Sequence, residues 1–336
     1  MNENYSPRAP QAWDAIIVGG GAAGLSAAQT LGRSLRRTLV IDAAEPRNRF
    51  AAHMHNVLGH DGVEPGTLLR RGRAEAARYG VEFREASVDS VEDHDSHLTL
   101  HLESGATLET RALIAATGLT DVLPPITGLA QYWGSGVLHC PYCHGWEVRG
   151  KRLAVITTSP AGLHQARMLR QWTDDLTVFS AGLGELDDQV RRGFAARGVR
   201  LVASPVVEVI GAAIEQDAAG NTEPEAQTLL SAVRTADGAL HPVDAAFVAS
   251  SMQPRDAFLA GLGLEGAAGP MGDLIEVDAM HRTSHPRVWA VGNLVNPSAT
   301  VPLSMGAGAF AGAAANLMLV DEDYAAAVAG TELGVR

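Results

Sequence analysis

A short apolar run, Ala15-Ile16-Ile17-Val18, breaks into Gly19-Gly20-Gly21-Ala22-Ala23-Gly24 and continues as Leu25 to Leu31, a stretch of helix-forming residues. Strand, glycine turn, helix: this order constrains the fold more than any other feature of the chain. Each glycine answers a physical need. Gly19 permits the tight turn, Gly21 lets a pyrophosphate approach the backbone, and Gly24 lets the helix pack closely on the strand. Free N–H groups at the helix start then meet the phosphate. A second apolar run, Thr38 to Ile41, ends at Asp42, about 20 residues past the glycines, where a dinucleotide fold places an acid for a ribose hydroxyl. In a chain with 36 glycines the spacing alone means little. The flanking strand, helix and acid make it a dinucleotide-binding start.

A second strand and helix begin near Lys151, with Arg152 to Ile156 as strand and Gly162 to Arg170 as helix. The turn between them has the location of a nucleotide loop and the wrong chemistry. Thr157 and Ser159 stand where the first two glycines would be, and Pro160 has no N–H. Ser159 and Pro160 instead suit the N-cap and first position of the helix. The next strand, Leu176 to Phe179, runs into Ser180-Ala181-Gly182, with neither an acid for a ribose hydroxyl nor an arginine for a 2′-phosphate. Further strands are expected at Arg200–Ala203, Val206–Ile210 and Ala245–Ala249, with a surface excursion over 216–227. Near the C-terminus, Arg287 to Asn293 reads as a strand ending in a glycine turn, followed by a small-residue helix over Leu303–Ala315. Pro124-Pro125 and Gln253-Pro254 are the candidate interdomain straps.

At 336 residues and 46% hydrophobic content the chain can bury a large core and build two domains. A formal net charge of −12, with no block of Lys and Arg, argues against nucleic acid or an anionic membrane as partner. Met1 to Asp14 is polar and lacks a secretory h-region, and no later stretch of about 18 apolar residues free of charge is expected. Cytoplasmic residence and no membrane association follow as expectations. The chain has two cysteines, Cys140 and Cys143, within Cys140-Pro141-Tyr142-Cys143-His144-Gly145. In a reducing compartment, so close a pair reads as a working dithiol rather than a staple. A zinc site is not expected, because adjacent residues such as Cys143 and His144 rarely turn to one centre and no second knuckle is present. His144 is the nearest base to the pair, and an imidazole suits proton removal from a thiol. His139 reads as structural, and Trp146 and Glu147 as packing or orienting the loop.

Together, the glycine turn with Asp42, Ala116-Thr117-Gly118 before the first strap, the cysteine pair and the terminal Ala290-Val291-Gly292-Asn293 resemble the low-molecular-weight thioredoxin reductase family of flavoproteins, over about Asp14 to Asn316. The resemblance implies an α/β fold of two Rossmann-like, three-layer nucleotide-binding-type domains, the second inserted in the first. An FAD-binding domain of 12–122 and 250–325 would be interrupted by a domain at 123–249 that carries the cysteines and a degenerate nucleotide motif. It implies FAD as cofactor, contacted by Gly19, Gly21, Gly24, Asp42, Asn56, Thr117, Gly118, Gly292 and Asn293, and a homodimer. It also implies that Cys143 lies against the flavin and Cys140 faces the substrate, with His144 as base.

The departures from that family carry as much information. Its reductases use an intact second glycine motif and arginines for NADPH, and the residue after the second cysteine is an acid where this chain has His144. Asn293 stands where the usual acid holds the ribityl chain. The stretch Cys140 to Glu147, with the histidine-rich His53 to Gly62 upstream, is similar to a subgroup of dithiol oxidases that close disulfides in small natural products such as gliotoxin and holomycin. That subgroup passes electrons from a substrate dithiol through the cysteine pair and FAD to dioxygen. His53, His55 and His60 are expected in a loop under the flavin or at the substrate mouth. Two alternatives stay open: a reductase of a thioredoxin-like protein fed by ferredoxin or, less readily, NADPH, and a flavin redox-sensing module.

Overall fold

The computed structural model describes residues 12–160, 162–211, 230–269 and 272–333. The chain forms two compact units. One comprises the residues up to Arg47, Gly66–Thr120 and those from Met252 on; the other comprises Asn48–Pro65 and Asp121–Ser251. The crossings lie close to the expected 122/123 and 249/250. Residues 48–65, expected with the first domain, group with the second.

The first unit opens with β1 (Trp13–Val18), α1 (Ala22–Arg33) and β2 (Thr38–Asp42), then α2 (Pro65–Ala77), β3 (Glu82–Glu85), β4 (Val88–Asp93), β5 (Leu98–Leu102) and β6 (Thr107–Ala115). The strand order is β3-β2-β1-β6-β5-β4. The pairs β1–β2, β1–β6 and β2–β3 are parallel, whereas β4–β5 and β5–β6 are antiparallel. Alternate residues of β1 serve two cores. Ala15 and Ile17 pack with α1, and Ile16 and Val18 with the β4–β5 hairpin.

After β7 (Leu119–Val122) the second unit contains β8 (Val137–Leu138), α3 (Pro141–His144), β9 (Leu153–Ile156), α4 (Gly162–Leu169), β10 (Leu176–Phe179), α5 (Asp188–Ala196), β11 (Arg200–Val202), β12 (Val206–Gly211), β13 (Leu230–Thr235), β14 (Leu240–Pro242) and β15 (Ala245–Val248). A five-stranded sheet runs β11-β10-β9-β15-β8, parallel throughout. Strands β9, β10 and β15 are buried at every residue, as a parallel sheet covered on both faces requires. One face carries α4 and α5, and the other carries the antiparallel β12-β13-β14 sheet. The excursion at 216–227 lies outside the described residues.

The chain leaves through β16 (Ser251–Pro254), which pairs with β7, so the two crossing segments are themselves a ribbon. It returns to the first unit with β17 (Gly266–Gly269), β18 (Gly272–Ile275), β19 (Val288–Ala290) and α6 (Val301–Leu333). Strand β19 adds in parallel to the end of β6, at Leu113–Ala115. Helix α6 corrects an expectation: its Val301–Thr331 stretch is long and apolar enough to cross a membrane by length and composition. Its alanines and glycines, rather than large side chains, hid that from the sequence reading. In the fold, Ala311, Ala314, Ala315 and Leu319 enter the core beside α1. A Cβ on Gly308 would sit 1.9 Å from the Ala23 carbonyl oxygen, so only glycine permits this approach.

Candidate functional site

The first unit gathers most of the expected cofactor residues at the carboxyl ends of β1, β6 and β19, where open α/β sheets bind ligands. Gly19 has φ +109°, and a Cβ there would lie 2.4 Å from the Ala116 carbonyl oxygen. Gly24 touches the Gly19 carbonyl at a distance no side chain allows. Gly21, the N-cap of α1, has no atom within 4 Å of where its Cβ would stand, and no side chain caps the helix. The turn is therefore open at the position where the backbone must meet a pyrophosphate, and the residues present fit a dinucleotide. Asp42 accepts the Gly20 N–H at 3.0 Å on one carboxylate oxygen and Arg73 Nη2 at 3.0 Å on the other. Neither Gly20 nor Arg73 was visible from sequence. Gly20 stands between the motif glycines, and Arg73 comes from α2, 31 residues beyond Asp42.

Thr117, Gly118, Gly292 and Asn293 complete this edge. Thr117 Oγ1 donates to the Arg255 carbonyl at 2.7 Å, and the Gly118 carbonyl accepts from the Arg255 N–H at 3.0 Å, pinning the two crossing segments together. Gly118 and Gly292 both have positive φ, +69° and +70°. The Asn293 amide donates to the carbonyls of Asn296 at 3.1 Å, Pro297 at 3.2 Å and Ala299 at 2.9 Å, holding the loop that leads into α6.

The corresponding turn of the second unit is filled. Thr157 is buried and its Oγ1 donates to the Phe179 carbonyl at 2.6 Å. Thr158 Oγ1 reaches the Ala249 carbonyl at 3.3 Å. The chain after β10 closes over this turn so tightly that a Cβ on Gly182 would lie 2.3 Å from the Thr157 carbonyl oxygen. Backbone turns at Ser159 and Pro160 precede α4, which starts at Gly162.

The dithiol lies on α3. Cys140 is its N-cap and Pro141 sits in its first turn. The N–H groups of Cys143 and His144 both donate to the Cys140 carbonyl, at 3.1 and 3.2 Å. The two thiols are thus one turn apart and half-buried. Gly145 is forced: a Cβ there would lie 2.6 Å from the Pro141 carbonyl oxygen and 2.8 Å from the Trp172 ring. Tyr142 meets Trp172 edge-on at 6.0 Å. The His139 ring is 3.4 Å from the Val248 carbonyl and its own carbonyl accepts from Gln165 Nε2 at 2.5 Å, which fixes the approach to the pair.

The histidine-rich loop meets this helix inside the same unit. Asn56, at φ +63°, donates from Nδ2 to the Tyr142 carbonyl at 3.0 Å. His55 Nε2 lies 3.3 Å from Glu147 Oε1, and its Nδ1 lies 3.4 Å from Asp61 Oδ2. Asp61 also accepts the Asn56 N–H at 3.0 Å, and this bond, followed by His55, lowers its pKa below the usual carboxylate value. Met54 and Val57 anchor the loop in protein, while His53 is exposed. Asn56, read as a flavin contact, thus has its amide on the cysteine helix. His55 and Glu147 form a pair that the sequence does not show, since 92 residues separate them. Burial pushes the His144 imidazole below its ordinary 6.5; Glu147 pulls it up, and His55 and His139 press it down. A neutral imidazole beside a thiol is a competent base at neutral pH.

Residues 13–313 match the model for the pyridine nucleotide-disulphide oxidoreductases. The chain belongs to this family. It is 32% identical over 336 residues to thioredoxin reductase sirT of Leptosphaeria maculans, covering 94% of this chain and 97% of that one. It is 30% identical over 324 residues to thioredoxin reductase tcpT of Claviceps purpurea (strain 20.1), covering 91% and 94%. Among solved structures, HlmI superposes with a TM-score of 0.88 at 40% identity over 98% of this chain and 99% of its own. An oxidoreductase from Agrobacterium tumefaciens gives 0.82 at 36% identity over 92% and 99%. The chain is a flavin-dependent disulfide oxidoreductase with the two-domain thioredoxin-reductase-like α/β fold, and its cofactor is FAD.

Proposed function

We propose that this member of the family is a dithiol oxidase, which closes a disulfide in a small molecule and delivers the electrons to dioxygen. The observation that carries this reading is the filled turn after β9. Thr157 is buried against the Phe179 carbonyl where a nicotinamide dinucleotide would need bare backbone N–H groups. Electrons therefore enter at the dithiol rather than from NADPH, although the relatives sirT and tcpT bear the name thioredoxin reductase. The neutral His144, in place of an acid, fits a base that deprotonates an incoming thiol.

The chain's own part is thiol–disulfide exchange. A substrate thiol gives its proton to His144, and the thiolate attacks Cys140 sulfur. A substrate–Cys140 bond forms as the Cys140–Cys143 bond breaks, and Cys143 leaves as thiolate. The second substrate thiol, deprotonated in turn, displaces Cys140, closing the substrate disulfide and leaving both cysteines reduced. Gly19, Gly21, Gly24 and Asp42, with Thr117, Gly118, Gly292 and Asn293 along the same sheet edge, would hold FAD, which when bound would supply a two-electron acceptor for the reduced cysteine pair and a route to dioxygen. Working thiols of this kind suit the cytoplasm. On α6, Leu303, Phe310, Leu317 and Tyr324 are exposed at every seventh position, a seam that suits a second copy and supports a homodimer.

The test is an anaerobic titration of the bound flavin with small dithiols, NADPH and reduced ferredoxin, followed by aerobic turnover with peroxide detection. Bleaching by dithiols and stoichiometric peroxide support the oxidase. Bleaching by NADPH or ferredoxin at catalytic rates, or aerobic dithiol turnover without peroxide, overturns it.

A further inference from the structure

The strand ends of the first unit put the parts of a dinucleotide in a fixed order. The glycine turn follows β1, and the uncapped start of α1 there takes the pyrophosphate. Asp42 ends β2, the next strand outward, where an acid takes the ribose hydroxyls. Phosphate and ribose thus follow each other from β1 to β2, and the base bonded to that ribose comes next. Beyond β2 the sheet has one more strand on this side, β3.

Arg73 and Phe83 stand at that edge. Arg73 comes from α2, and its neighbour Gly72 lets α2 lie on α1: a Cβ on Gly72 would sit 3.2 Å from Leu25 Cδ1. The guanidinium is then fixed twice. Its Nη2 donates to Asp42 Oδ2 at 3.0 Å, and its central carbon lies 4.7 Å from the centre of the Phe83 ring, on β3. Asp42 is held from the glycine turn as well, since its Oδ1 accepts the Gly20 N–H at 3.0 Å. One oxygen of the carboxylate therefore faces the pyrophosphate turn, and the other faces a cation anchored on β3. A carboxylate has about four lone-pair sites, so these two bonds leave room for ribose hydroxyls.

The Arg73 side chain remains 41% exposed, although one face is backed by Phe83 and one edge is spent on Asp42. A guanidinium so pinned offers its open face to a flat ring, the contact this group makes most readily with aromatic systems. Charge favours a neutral occupant. Glu85, the exposed register partner of Asp42, adds a second acid at this end of the sheet, which opposes a phosphate and leaves an uncharged base unopposed.

We propose that Arg73 recognises the adenosine end of FAD: it holds Asp42 for the ribose and presents its open guanidinium face to the adenine. Arg73 is a binding and positioning residue with no part in the thiol chemistry. The inference is independent of the direction of electron flow.

The test is FAD affinity of the full-length chain, read from flavin fluorescence as holoenzyme is diluted, in wild type, Arg73→Gln and Arg73→Lys. The same chains are then reloaded with FMN, which lacks the adenosine. Stacking of a base on a flat side chain shifts a dissociation constant by about tenfold or more, so Arg73→Gln is expected to weaken FAD at least about tenfold. Lysine keeps a charge beside Asp42 and lacks the plane, so Arg73→Lys is expected to recover part of the loss and stay at least about threefold weaker than wild type. FMN should bind all three chains equally. An unchanged FAD constant in Arg73→Gln overturns the inference. Wild-type FAD affinity in Arg73→Lys overturns it too, as a charge without a platform. An equal weakening of FMN does the same, because it reports damage to the unit rather than loss of an adenosine contact.

Discussion

Replacing Asn293 by the acid usual in thioredoxin reductases should weaken this protein rather than improve it. The Asn293 amide donates to three carbonyls, at 2.9 to 3.2 Å. With two hydrogens for three acceptors, it makes the equivalent of two hydrogen bonds, each contributing about 0.5–1.5 kcal/mol. A carboxylate at the same place donates nothing and faces three oxygens. The site is partly exposed, so the new charge can turn toward water, which limits the repulsion. Asn293→Asp is therefore expected to lose about 2 kcal/mol, or roughly 4–8 °C of melting temperature for a unit of this size. The pH dependence identifies the cause. A protonated Asp recovers one donor, so the folded pKa of the new group lies above its unfolded value of about 3.9. Its stabilising form is then present at low pH and lost as pH rises through the raised value. Thermal melts of FAD-loaded wild type and variant at pH 8 and pH 5 should show the deficit shrinking at pH 5. An equal melting temperature at pH 8, or a deficit that grows on acidification, refutes the reasoning.

Four other outcomes are expected. Gly308→Ala places a Cβ 1.9 Å from the Ala23 backbone oxygen, and since backbone cannot swing aside, α1 and α6 must part; a loss of about 1–3 kcal/mol should appear as a lower melting temperature and as FAD released on gel filtration. Cys143→Ser should abolish flavin reduction by dithiols while FAD stays bound, whereas Cys140→Ser should keep a thiolate near the flavin and a long-wavelength absorbance band, both read by spectroscopy. Because His144 titrates below 6.5, the acid limb of the dithiol reduction rate should fall below pH 6.5; Glu147→Gln removes the charge that raises it and should move the limb lower still. Leu317→Glu, at the centre of the exposed seam of α6, should yield monomers by light scattering if the seam holds a homodimer.

What the sequence disclosed was what is local. The strand, glycine turn and helix at Ala15–Leu31 sit within one unbroken stretch, and the conformational demands on Gly19 and Gly24 follow from a turn that can be drawn without the rest of the molecule. Thr157 was legible as a missing glycine, but its bond to the Phe179 carbonyl depends on a strand 22 residues away. The attachment of residues 48–65 to the cysteine unit depends on Asn56 reaching Tyr142 across 86 residues, and no periodicity records such a contact. Asn293 was legible only as a residue type standing where an acid is usual. Its three carbonyl partners lie in an irregular loop whose path the sequence does not state. Helix α6 was underestimated because alanine and glycine carry little hydrophobic signal, although alanine is the best helix former and glycine allows the closest packing.

The stability of the second unit does not rest on the turn after β9. The parallel sheet of the second unit is covered by helices on one face and by the β12-β13-β14 sheet on the other, and both cores close without the turn after β9. A buried, hydrogen-bonded Thr157 therefore occupies that turn while the platform that carries Cys140 and Cys143 stays intact. The same unit holds His55 between Glu147, at 3.3 Å, and Asp61, at 3.4 Å. On the dithiol-oxidase reading, a turn that holds no nicotinamide leaves the cysteine pair on that platform as the entry point for electrons.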